Sequence, residues 1–157
     1  MNWVTAHLLL IGLPAIGVPV GVLLVTAGQV RRTPSLRRAG LVVLLAASVL
    51  GLVTFAVGQR AARQVETAVP GVDPALILRH AEGAEAARLA LIVLGMASAG
   101  VLAVRRDSGA LPWLVGGLVV FGLVAVLLVV RAARFGGDIR HPELRAPAAT
   151  AEPATAP

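Results

Sequence analysis

Three histidines, His7, His80 and His141, are the side chains of this 157-residue chain best suited to chemistry. An imidazole can ligate a transition metal through either ring nitrogen or carry a proton near neutral pH. Asp138 and Glu143 flank His141 in the segment GGDIRHPEL and add carboxylate oxygens of the kind that complete a zinc site. His7, His80, His141, Asp138 and Glu143 together form a donor set for a divalent metal, zinc or copper. Two of the histidines could instead be the axial ligands of a b-type haem. A third reading is structural, each imidazole simply bonding a carbonyl or carboxylate within a membrane partner of a larger complex. The absence of Cys excludes thiol catalysis, disulfides, iron–sulfur clusters and covalently attached c-type haem.

Other chemistry finds little support. Ser35, Ser48, Ser98 and Ser108 have no general base in their sequence context, and Gly136-Gly137 is followed by neither Lys nor Ser/Thr, as a phosphate loop would require. The centres of the apolar runs carry none of the ionisable residues that a proton-coupled transporter places near the midplane. The sequence therefore points to a binding or structural protein rather than an enzyme.

The elements that must position the histidines are apolar. Hydrophobic residues make up 57% of the chain and charged residues only 14%, more apolar surface than a soluble domain of this length can bury. The excess must face a lipid bilayer. Four runs, at about 4–27, 39–58, 86–104 and 111–130, are long enough to span one as helix. The expected fold is all-α, an integral membrane four-helix up-down bundle over residues 1–145, with a disordered Ala/Pro-rich tail at 146–157. The first run has no basic residue before it and is longer than a signal peptide's apolar region, so it reads as a retained span. Its Gly17 and Gly21 form a small-residue step that lets another helix approach. The net charge of +6 rests on Arg alone, and the arginines stand at the ends of the runs. A nucleic-acid surface would interleave them with aromatic residues, which make up only 3% of the chain.

Local signals sharpen the placement of each histidine. His7 lies about one turn inside the first span. Asp73-Pro74 is a helix-start signal, and the third helix is expected to run unbroken from there to about Val104. Along it Arg79, Glu82, Glu85 and Arg88 fall three apart and form one charged stripe, read as a solvated face. His80 belongs to another face, with Ile77, Ala84, Ala87 and Leu91, and is expected to turn inward. Gln29 to Arg38 reads as a basic loop. Gly136-Gly137 reads as the stop of the fourth helix, after which His141 could fold back over the bundle.

Four spans place both termini on one side. Four arginines follow the first span and none precedes it, so the first loop is assigned to the cytoplasm and both termini to the outside, of a bacterial inner membrane. The three histidines then share the extracytoplasmic face.

His7, His80, and Gly136-Gly137 followed by His141 resemble the pattern of a family of four-span bacterial membrane proteins filed as a domain of unknown function. That family carries a His-Phe-Pro-Ile signature at its first span; here Leu8-Leu9-Leu10 stands in place of Phe-Pro-Ile. The resemblance reaches to about Arg145. It implies the four-span architecture and an interest in the histidines, and no activity.

Overall fold

A carboxamide and a carboxylate start the two helices that carry the described histidines. Asn2 Oδ1 accepts from the amides of Val4 and Thr5 at 3.1 and 3.2 Å, and Asp73 Oδ1 accepts from Ala75 at 2.9 Å with Pro74 in the first helical position. The computed structural model describes residues 2–68, 73–105 and 108–140. Within them the fold is all-α: α1 Trp3–Val30, α2 Pro34–Ala68, α3 Pro74–Ala103 and α4 Leu111–Arg140. All four are long and apolar enough to cross a membrane. Leu9, Ile16, Leu23 and Val30, each 67–76% exposed, repeat every seven residues down the outer face of α1. Such an apolar stripe fits contact with lipid.

Consecutive helices are antiparallel and each packs on two neighbours, in the ring α1–α2–α3–α4–α1, while the diagonals make no backbone contact among the described residues. Leu44, Leu94, Val18, Val25 and Val115 are fully buried at the centre. The α1–α2 seam is built from small residues. A Cβ on Gly17 would stand 2.8 Å from Ala47 Cβ, and one on Gly21 2.6 Å from a Leu44 methyl. The small-residue step of α1 is therefore filled by α2 of the same chain, which takes the place of the outside helix that Gly17 and Gly21 could have received.

Two sequence expectations need correction. The basic loop shrinks to Arg31–Thr33, with Arg32 in the left-handed region at φ 53°. The helices run into the expected loop because Gly28 lets the Arg37 backbone approach, where a Cβ would meet Arg37 N at 2.3 Å, and because Arg37 Nη1 donates to Gln29 Oε1 at 3.2 Å. Nor does Gly136-Gly137 stop α4, which continues to Arg140. Neither glycine adopts the positive φ that a glycine stop uses; Gly136 instead has a packing role described below. The unbroken third helix agrees with the expectation from Asp73-Pro74.

Candidate metal centre

His7 and His80 sit on diagonal helices, α1 and α3, and face one another across the bundle. Their ring centroids are 6.3 Å apart and their planes cross at 72°. The inward turn expected for His80 is what the helix delivers. Each ring is fixed by the next helix in the chain. His7 Nδ1 lies 3.2 Å from Thr54 O on α2, and His80 Nδ1 lies 3.0 Å from Ala132 O on α4. A carbonyl oxygen can only accept, so both Nδ1 atoms carry the proton. In the neutral rings this leaves each Nε2 with a free lone pair, the usual state of a metal-ligating imidazole braced by a second contact.

A glycine one turn beyond each accepting carbonyl makes the contact sterically open. In a helix the Cβ at position i+4 leans back over the carbonyl at i. Gly58 stands four residues after Thr54, and Gly136 four after Ala132. A Cβ on Gly58 would be 2.9 Å from His7 Cε1, and one on Gly136 would be 3.1 Å from His80 Cε1. The two hairpins thus repeat one device: an imidazole early in the first helix, and a carbonyl with a bare glycine above it late in the second. The repeat extends to the register, since 23 residues separate both His7 from the end of α1 and His80 from the end of α3.

The rings open on a cleft of about 70 Å³ whose walls include Pro14, Phe55, Leu91 and Val129. At about 10–15 Å³ per water, it has room for a few waters or one partly hydrated ion. Arg88 also lines it. Its guanidinium carbon is 5.3 Å from the Phe55 ring centre, and its Nε donates to Glu85 Oε2 at 2.9 Å, with a second bond from Nη2 to Oε1. Arg88 thus borders the cleft, while the side chain of Glu85 is 46% exposed and Arg79 and Glu82 are exposed. At the same end Trp3 N donates to Gln64 Oε1 at 2.9 Å and Arg60 stacks on the Trp3 ring at 4.9 Å, tying the start of α1 to α2.

Of the other expected donors, Asp138 lies on α4 two residues beyond Gly136, about 200° further around the helix. His141 and Glu143 lie outside the described residues. Among the described residues no group of three or more His, Asp or Glu is placed to hold a metal ion. Sequence reasoning missed Thr54, Gly58 and Ala132. Both supporting pairs are small residues four apart, Thr54/Gly58 and Ala132/Gly136, and that spacing is the signal that could have found them. Compared with known proteins, the chain matches no protein-family model, no curated protein and no solved structure.

Proposed function

We propose that the chain is an integral membrane protein that binds a transition metal, zinc or copper, between His7 and His80. The observation that carries this reading is that both imidazoles use Nδ1–H on a backbone carbonyl, which reserves both Nε2 lone pairs for a ligand. The spacing supports it. With nitrogen about 1.1 Å from the ring centre and metal–nitrogen bonds of about 2.0–2.1 Å, one shared ion sets ring centres between about 5 Å at a tetrahedral angle and about 6.3 Å when opposed. The rings stand at 6.3 Å, at the upper end of that range, and a tetrahedral site would draw them about 1 Å closer. His141, Glu143 and Asp138 are the proposed source of further donors from the C-terminal segment. Membership of the four-span His-Phe-Pro-Ile family belongs to the same proposal, as does a bacterial inner membrane with both termini outside.

A haem b between the same nitrogens is the weaker reading. Gly58 and Gly136 bring the α2 and α4 backbones against the imidazoles, and the cleft of about 70 Å³ that the rings open on is small for a macrocycle. The test is metal analysis of detergent-purified protein dialysed against zinc or copper, with an absorption spectrum alongside. One equivalent of metal in the wild type, lost in both His7→Ala and His80→Ala, is expected. Stoichiometry unchanged in both variants overturns the site. A Soret band transfers it to haem, and neither metal nor haem leaves the structural role. A C-terminal reporter active only in the cytoplasm reverses the orientation.

A further inference from the structure

A second cleft, at the opposite end of the bundle, joins charge to apolar surface. It lies between the start of α2, the end of α3 and the start of α4, with a volume of about 60 Å³. Arg37 and Arg38 line it above Leu41, Val101, Leu102 and Leu111. Arg37 is held in place by its bond to Gln29 and by the close approach of its backbone to Gly28, whereas Arg38 is exposed. Six of the chain's 14 arginines belong to this end by sequence: Arg31, Arg32, Arg37, Arg38, Arg105 and Arg106. Of its eight acidic residues only Asp107 does, and it lies outside the described residues. By sequence the charge at this end is strongly unbalanced, while among the described residues Glu66, Asp73, Glu82, Glu85 and Asp138 belong to the other end.

We propose that this cleft holds the phosphate headgroup of an anionic phospholipid. A phosphodiester presents acceptor oxygens that guanidinium groups bond well. Leu41, Val101 and Leu111 are already buried in the core, so recognition rests on the arginines, and basic pockets between spanning helices are a recurrent form of lipid headgroup site. The position at the helix ends puts the cleft at headgroup depth in a bilayer that the four helices cross. The proposal is independent of the metal centre.

The test is native mass spectrometry of the purified full chain in neutral detergent, titrated with phosphatidylglycerol, phosphatidylcholine or inorganic phosphate. Phosphatidylglycerol should bind in preference to phosphatidylcholine and resist competition by inorganic phosphate. Arg38→Gln should weaken its binding about fivefold, and Arg37→Gln/Arg38→Gln about 25-fold, at about fivefold per arginine. Arg60→Gln/Arg63→Gln, at the histidine end, should match the wild type. Because Arg37 also ties the α1–α2 turn, exposed Arg38 is the deciding position, with helicity checked by circular dichroism. Equal binding by wild type and Arg38→Gln, or equal binding of the two lipids, overturns the proposal. Displacement of the lipid by inorganic phosphate at equal concentration overturns the lipid assignment as well.

Discussion

The sharpest test of the histidine centre is a single methyl group added to the helix that braces His7. In Gly58→Ala the new Cβ would stand 2.9 Å from His7 Cε1 and 3.1 Å from Nδ1. Carbon contacts are comfortable at about 3.5–4.0 Å, so the ring must retreat by about 0.5–1 Å. Its bond to Thr54 O is already 3.2 Å long, and a retreat of that size carries it past about 3.5 Å, where it no longer counts as a hydrogen bond. The lost bond costs about 1 kcal/mol and the crowding about 1–3 kcal/mol, while alanine's better helix propensity returns up to about 1 kcal/mol. The net loss of stability is then about 1–3 kcal/mol. With Nδ1 unbraced, the tautomer and direction of Nε2 are no longer fixed, and metal affinity should fall about 10–100-fold. Chelator competition on the detergent-purified protein reads the affinity, and thermal unfolding reads the stability. Gly137→Ala is the control, because nothing lies within 4 Å of its added methyl. Equal metal affinity in Gly58→Ala and Gly137→Ala would refute the bracing argument.

Four further outcomes are expected. Thr54→Ala should keep wild-type metal affinity within about twofold, because the backbone carbonyl holds His7 while the Thr54 hydroxyl bonds Leu50 O at 2.8 Å; chelator competition checks it. His7→Ala and His80→Ala should lose metal equally, and the double variant should be no worse than either, since the two rings act as one unit; dialysis followed by metal analysis reads this. Asp73→Ala removes the cap of α3 and should speed amide exchange in its first turn by an amount matching about 0.5–2 kcal/mol. Ser98→Ala removes a fully buried hydroxyl that has no partner, and unfolding in detergent should show stability held or raised by about 1 kcal/mol.

The four helices were legible because lipid-facing runs announce themselves by length, and Asp73-Pro74 marked the start of α3 by cap chemistry. The inward turn of His80 was legible from its neighbours four, seven and eleven residues away, Ala84, Ala87 and Leu91, which share its face. The role of Gly136 was not legible. Glycine has one sequence signature for two uses, a left-handed stop or a site of close approach, and only the facing helix decides between them. Gly58 marked the end of the second apolar run and drew no other notice for the same reason. Thr54 and Ala132 contribute through the main chain, and a carbonyl acceptor leaves no residue-type signal at all. Arg88 was assigned to a solvated stripe because spacing alone cannot foresee that Phe55, on another helix, offers its ring to the guanidinium.

The two hairpins place their histidines in the same way, and that equivalence has a physical consequence. A polar ring in an apolar bundle is tolerated when its donor is satisfied, and a backbone carbonyl is the cheapest acceptor, since it has a second lone pair beyond its helical bond. Any helix pair with a glycine above a carbonyl can supply one, so one such hairpin accounts for one buried imidazole and nothing more. Here both hairpins do it at the same depth, 23 residues from the helix end, and the ring packing α1–α2–α3–α4 sets the two imidazoles on one diagonal. Purely structural histidines would have no reason to share a depth or a diagonal, because each is already satisfied by its own hairpin. Their convergence at 6.3 Å is what the proposed metal between the rings accounts for and two independent packing residues do not.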